Sequence, residues 1–236
     1  MADLTADLTV GSLARFIEHT LLNPEARVAD VERLCQETLA FGLRGACVNS
    51  RYVAVVAAHL RGSGSSAVSV VGFPFGAGLT SAKAKEAGLA VDAGADEIDM
   101  VIALGAAKQG DWADVAADVR AVVGAAGGKP VKAIIETGLL SAAEIVAACA
   151  ACVDGGAAFV KTSTGFLGRG ASVEDVELMR RSLPTTVQIK ASGGIKTFAQ
   201  AARLVEAGAT RIGSSSGPFL AGGLAGGPDS GDRPNY

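Results

Sequence analysis

The chain has 236 residues, 49% of them hydrophobic, with 21 basic and 24 acidic side chains and a formal net charge of −3. That length supports one large core or two small ones, the charge supplies no basic patch for nucleic acid, and no uninterrupted apolar run of about 18 residues is present to span a membrane. The start, Met1-Ala2-Asp3-Leu4-Thr5-Ala6-Asp7, is acidic and lacks the basic opening of a signal peptide.

In chain order, strands are predicted at Phe16–Leu22, Gly45–Asn49, Ala67–Phe73, Glu97–Ala103, Val131–Thr137, Phe159–Thr164, Val187–Ser192 and Arg211–Ser215, with helix-like stretches between them. A weak repeat supports the alternation. Val91-Asp92-Ala93-Gly94-Ala95, Val153-Asp154-Gly155-Gly156-Ala157 and Val205-Glu206-Ala207-Gly208-Ala209 each precede a strand, and Phe41-Gly42 holds a similar place before the second. The recurring glycine is the expected left-handed helix stop. Eight βα units over this length predict an α/β protein, a single-domain (β/α)8 TIM barrel over residues 1–221, with a doubly wound open sheet as the alternative. The stretch 222–236 is Gly/Pro/Asp/Ser-rich and is expected to be a flexible tail.

Alternation sorts the strand side chains into two faces. Ile98, Met100 and Ile102 oppose Glu97, Asp99 and Val101; Val131, Ala133 and Ile135 oppose Lys132, Ile134 and Glu136; Val187, Ile189 and Ala191 oppose Gln188, Lys190 and Ser192. The apolar sets should face the helices and the charged sets the barrel interior, with Gly45, Cys47 and Asn49 also inward. Lys132, Lys161 and Lys190 are spaced 29 residues apart, about one βα unit, and the chain has only eight lysines. Charges on such strands are costly unless paired or used.

A lysine is a nucleophile only when unprotonated, and burial beside a second cation lowers its pKa. Lys161, in Val160-Lys161-Thr162-Ser163-Thr164-Gly165, is the candidate nucleophile, Lys190 the second cation and Asp99 a proton relay. From the runs alone, a structural ion-pair network of Asp99, Glu136 and the lysines stays open. Ser192-Gly193-Gly194-Ile195 and Gly213-Ser214-Ser215-Ser216-Gly217 follow the last two strands, where such barrels hold phosphate. Glu136 could hold Lys132. His19 is more naturally structural than a base, Cys47 lines the pocket without an activating histidine, and Tyr52 and Trp112 read as packing residues. Cys149 and Cys152 form a C-x-x-C without a second ligand pair. With Cys35 and Cys47 they read as reduced thiols of a cytosolic protein.

Taken together, His19-Thr20-Leu21-Leu22-Asn23-Pro24-Glu25-Ala26, Ala46-Cys47-Val48-Asn49, Val71-Gly72-Phe73-Pro74-Phe75-Gly76, Gly94-Ala95-Asp96-Glu97-Ile98-Asp99-Met100-Val101-Ile102, Lys132-Ala133-Ile134-Ile135-Glu136-Thr137, Phe159-Val160-Lys161-Thr162-Ser163-Thr164-Gly165, Lys190-Ala191-Ser192-Gly193-Gly194-Ile195 and Ala207-Gly208-Ala209-Thr210-Arg211-Ile212-Gly213 resemble the deoxyribose-phosphate aldolases. These are class I aldolases of the (β/α)8 type. The resemblance runs in order from about residue 14 to 217. It implies reversible cleavage of 2-deoxy-D-ribose 5-phosphate into D-glyceraldehyde 3-phosphate and acetaldehyde. It further implies Lys161 as the Schiff-base lysine, Lys190 as the lysine that perturbs it, and Asp99 as the acid/base carboxylate. Cys47, Lys132, Thr20 and Asn23 match pocket positions, and Gly193, Gly194, Ser215 and Ser216 match the phosphate loops. No cofactor or metal is implied, because the protonated imine is the electron sink. The implied partner is a small phosphorylated sugar, the implied assembly a homodimer or homotetramer, and the implied location the cytoplasm.

The chain also departs from the family pattern. Glu18 stands where the family usually has aspartate, which bears on a substrate-hydroxyl contact. Ser50 replaces a common proline, Ala103 a common asparagine and Ala158 the usual aspartate. Phe166 occupies a place where some members carry a lysine near the phosphate. Some members end in a tyrosine that reaches the active site, which makes Tyr236 a proton-relay candidate.

Overall fold

In a computed structural model that describes residues 9–222, every one of the eight apolar runs forms a strand. They are β1 (Ile17–Leu21), β2 (Gly45–Asn49), β3 (Ser66–Val71), β4 (Glu97–Val101), β5 (Val131–Ile134), β6 (Phe159–Lys161), β7 (Gln188–Ser192) and β8 (Arg211–Ser214). All pairings are parallel, and β8 pairs with β1, so the sheet is a closed barrel and the open-sheet alternative is excluded. The helices are α1 (Val10–Leu13), α2 (Val28–Ala40), α3 (Val53–Leu60), α4 (Thr80–Asp92), α5 (Leu104–Gln109), α6 (Trp112–Ala125), α7 (Ala142–Asp154), α8 (Val173–Ser182), α9 (Phe198–Glu206) and α10 (Gly217–Gly222). Among the described residues no helix is long and apolar enough to cross a membrane. Tyr236 and residues 223–236 lie outside the described residues.

The repeat seen in the sequence is a repeated helix stop. Gly42, Gly94, Gly156 and Gly208 all have left-handed backbones, with φ of 59°, 104°, 84° and 115°. After each, the next amide donates back across the stop: Leu43 to Thr38, Ala95 to Ala90, Ala157 to Cys152 and Ala209 to Leu204, at 2.9–3.0 Å. This is the Schellman closure, which satisfies a terminal carbonyl and turns the chain straight into the next strand.

The sequence places several strand ends too late. β4 leaves the ladder at Val101 rather than Ala103, β5 at Ile134 rather than Thr137, and β6 at Lys161 rather than Thr164. Ile102 and Ile135 remain fully buried beyond the ladder, so hydrophobicity continues where strand pairing stops. The segments after the ladder line the C-terminal mouth, where function gathers in this fold. Helix α4 braces that mouth. Its Lys83 ammonium donates to the Val101 carbonyl (3.0 Å) and to Asp118 (2.7 Å), and its Glu86 accepts from the Gly72 amide (2.9 Å) and the Ser50 hydroxyl (2.8 Å).

Ile98, Met100, Ala133, Ile189 and Ala191 are buried with helix residues in one continuous core. The barrel interior is divided. Leu22, Cys47, Val68 and Val70 form an apolar cluster toward β1–β3, while Asp99, Lys132, Lys161 and Lys190 bring buried charges from β4–β7, joined by Glu18 of β1 and Arg211 of β8.

Candidate active site

Asp99 is the hub of the buried charges. Its Oδ1 accepts from the Lys132 ammonium at 2.8 Å, and its Oδ2 accepts from both Lys161 (2.7 Å) and Lys190 (2.6 Å). The barrel register makes this geometry: Asp99 pairs with Lys132 across β4–β5, and Lys161 with Lys190 across β6–β7. Inward-pointing side chains on neighbouring strands therefore converge on one carboxylate. Gly213 on β8 leaves the space this needs, since a Cβ there would lie 3.0 Å from Lys190 Cε and 2.4 Å from Ser192 Oγ.

Glu18 belongs to the same cluster. Lys190 donates to its Oε2, while Lys132 and Arg211 approach its Oε1 at 3.5 and 3.3 Å. Glu97 meets Lys132 at 2.7 Å and Arg211 at 3.8 Å. All of these groups are less than a tenth exposed. Three carboxylates (Glu18, Glu97 and Asp99) thus face four cations (Lys132, Lys161, Lys190 and Arg211). Buried positive charge exceeds negative here, and half-buried Arg44 adds to it at Glu97 (3.3 Å), which favours a lowered pKa for the lysine with the fewest carboxylate partners.

That lysine is Lys161, with Asp99 as its one carboxylate partner among the described residues. Burial pushes its pKa below the ordinary lysine value, Lys190 adds to the push, and Asp99 only partly opposes it. Burial would also depress Lys190 and Lys132, but Asp99 and Glu18 overcome it in both and hold them protonated, with pKa values raised. Burial would raise Asp99, yet Lys132, Lys161 and Lys190 hold it well below the usual carboxylate range.

The remaining expected residues divide between mouth and scaffold. Cys47 is fully buried inside the barrel, and burial pushes its thiol up to about 11, so it is protonated at neutral pH. Thr20 donates to the Glu18 carbonyl (3.0 Å), and Asn23 Oδ1 is buried with no hydrogen-bond partner among the described residues. Gly193 and Gly194 follow β7 with φ of 93° and 73°. Ser214 Oγ donates to the Ile195 carbonyl (2.7 Å) and accepts the Ser216 amide (3.0 Å), which ties the β7 and β8 loops together. The Ser216 amide is thereby engaged and is not open to an anion. Phe166 leans edge-to-face on Phe73 at the mouth, with ring centroids 5.2 Å apart.

One expectation is corrected. Glu136 does not hold Lys132; its Oε2 accepts the Thr164 amide (3.0 Å) and the Thr164 hydroxyl. Lys132 is already engaged by Asp99, Glu97 and, at longer range, Glu18. His19 stands apart from this cluster. It bonds Glu37 on α2 (2.7 Å) and approaches the Ser214 carbonyl (3.4 Å), outside the barrel interior. Cys149 and Cys152 are buried in α7, with Cys149 pushed up to about 12 by burial. Sequence reading missed Arg211 as a member of the cluster, although its place at the start of a predicted strand was a signal.

A family model described as DeoC/LacD family aldolase matches residues 1–225. A deoxyribose-phosphate aldolase of Carboxydothermus hydrogenoformans is 48% identical over 221 residues, covering 92% of this chain and 97% of that one. One from Micrococcus luteus is also 48% identical, covering 90% and 96%. Among solved structures, the tetrameric deoxyribose phosphate aldolase of Aeropyrum pernix superposes with a TM-score of 0.85 at 32% identity, covering 91% of each chain. The resemblance read from the sequence motifs is borne out over nearly the whole barrel. The chain belongs to the DeoC/LacD family of aldolases and is an enzyme, a lyase.

Proposed function

We propose that the chain is a deoxyribose-phosphate aldolase that reversibly cleaves 2-deoxy-D-ribose 5-phosphate into D-glyceraldehyde 3-phosphate and acetaldehyde through an imine on Lys161. The observation that carries this reading is the Lys161 amine, depressed in pKa by burial and by Lys190, and held by the oxygen of Asp99 that Lys190 shares.

The neutral Lys161 amine adds to C1 of the open-chain aldehyde, and loss of water gives a protonated imine. The C2–C3 bond then breaks as the C3 hydroxyl gives up its proton. The bonding pair moves toward the iminium and leaves an enamine on Lys161, while C3 becomes the aldehyde of glyceraldehyde 3-phosphate. Protonation at C2 and hydrolysis of the imine release acetaldehyde and restore the amine. Asp99, with Lys190 and water, handles these protons. Lys190 rests charged, its pKa raised by Asp99 and Glu18, so it favours neutral Lys161 electrostatically rather than competing as a nucleophile.

Cys47, Lys132, Thr20 and Asn23 border the substrate, and Glu18 acts by holding Lys190 and Lys132. Gly193, Gly194, Ser215 and the Ser216 side chain receive the phosphate. The four described cysteines are free and buried, which suits work in the cytoplasm. Assembly as a homodimer or homotetramer is testable by light scattering.

Borohydride trapping with acetaldehyde, followed by peptide mass mapping, tests the reading. A two-carbon adduct on Lys161, absent in Lys161→Ala, is the expected result. Unchanged turnover in Lys161→Ala would sink it.

A further inference from the structure

Among the described residues, Glu136 is the one non-glycine with a positive φ (54°, with ψ 64°). That backbone region suits glycine and strains a residue with a side chain. Glu136 follows β5 directly, is fully buried, and carries a carboxyl that burial pushes above the usual pKa. A long acidic side chain in a strained, buried turn runs against both backbone preference and solvation. Such residues persist where the surroundings need them.

What the side chain reaches is specific. Oε2 accepts both the amide and the hydroxyl of Thr164, three residues after Lys161, and the Thr164 hydroxyl oxygen in turn accepts the Phe166 amide at 3.1 Å. The backbone does the same nearby: the Thr137 amide donates to the Thr162 carbonyl at 2.8 Å, and the Ile135 amide to the Lys161 carbonyl at 3.0 Å. Four ties therefore fasten residues 135–137 to residues 161–164, beyond the last ladder pair of β5 and β6. β6 is only three residues long and Lys161 is its last member, so strand pairing alone holds Lys161 on one side of its position. On the other side Thr162 is bonded to Lys190 and Ser192 of β7, and Glu136 grips the loop beyond it at Thr164.

We infer that Glu136 is a positioning residue, which clamps the loop after Lys161 through Thr164 and so fixes where the Lys161 amine meets substrate. The inference rests on the imine reading above. Misplacement of a reacting group by about 1 Å lowers rate roughly 100-fold. Glu136→Gly relieves the backbone strain while removing the clamp, so stability and catalysis should move apart. Its melting temperature should equal or exceed wild type, with kcat and the rate of Lys161 adduct formation falling by roughly 10- to 100-fold. Glu136→Gln keeps an oxygen for both Thr164 bonds and should restore most of that loss. Thr164→Val removes the hydroxyl half of the clamp without touching the strained backbone. It should lower kcat in the same direction, and less than additively in the double variant.

The experiment is kcat, KM and borohydride trapping on these four variants beside wild type. A Glu136→Gly enzyme with wild-type kcat and adduct rate would overturn the inference, as would Glu136→Gln impaired as badly as Glu136→Gly. Thr164→Val at full activity would overturn it even if Glu136→Gly failed to fold. An absent adduct in wild type would instead overturn the imine reading, and this inference with it.

Discussion

Lys161 and Lys190 are register partners on adjacent parallel strands, and both ammonium groups reach the same Asp99 oxygen, at 2.7 and 2.6 Å. Two cations on one oxygen leave one of them under-compensated. Lys190 has Glu18 as a second carboxylate and Lys161 does not, so the asymmetry between two chemically identical side chains comes from the first strand.

Replacing Lys190 with leucine should therefore raise the pKa of Lys161, since the ammonium that helps depress it is gone. The pH at which half the enzyme is trapped by acetaldehyde and borohydride should move upward, and kcat at neutral pH should fall. An unshifted profile would refute the charge coupling.

Glu18→Gln should destabilise the fold. The change leaves Lys190 with Asp99 alone and enlarges the buried cluster's surplus of positive charge, a loss of about 3–5 kcal/mol for a broken buried pair. Thermal or denaturant unfolding reads it directly. A change below about 1 kcal/mol, the range of exposed pairs, would show that the cluster is solvated.

Acid should loosen the barrel from within. Asp99 is held well below the ordinary aspartate value and Glu97 is lowered to about 2, so the folded state binds fewer protons than the unfolded chain. The stability they contribute is present above about pH 4.5 and is lost as pH falls through the folded values. Chemical denaturation between pH 5 and 3 should show the slope, and Glu97→Gln should flatten it.

Gly193→Ala should separate phosphate binding from chemistry. The position has φ of 93°, and a Cβ there would lie 2.8 Å from Gly170 Cα. The loop must shift, so KM for 2-deoxyribose 5-phosphate should rise while turnover of unphosphorylated 2-deoxyribose changes little. Equal losses on both substrates would place the loop's role elsewhere.

The barrel and its charged residues were legible because both obey local rules. Alternation put Asp99, Lys132 and Lys190 on the inner face, and the spacing of the lysines gave one charge per βα unit. Other features follow rules that strand patterns do not carry. Glu136 reads as one more inward carboxylate of β5, yet its backbone has already left the strand and turned left-handed, which redirects the side chain from Lys132 to Thr164. The partnership of Glu18 with Lys190 joins residues 172 positions apart and exists only because β8 closes against β1. His19 shows the reverse case, a chemically versatile side chain that its strand face commits to Glu37.

That last joint bears on how the molecule comes into being. Glu18 emerges early in synthesis, and Lys132, Lys190 and Arg211 follow over most of the remaining chain. Contacts of such long sequence separation form late, since their loop entropy must be overcome first. Until β8 docks on β1, Glu18 has no barrel to bring its cations together, and the lysine pair lacks the carboxylate that distinguishes its members. A partly folded chain therefore holds ordinary, solvated lysines, with only a small free-amine fraction at neutral pH. On the imine reading proposed above, the Lys161 amine becomes distinct from its neighbours only once the barrel has closed.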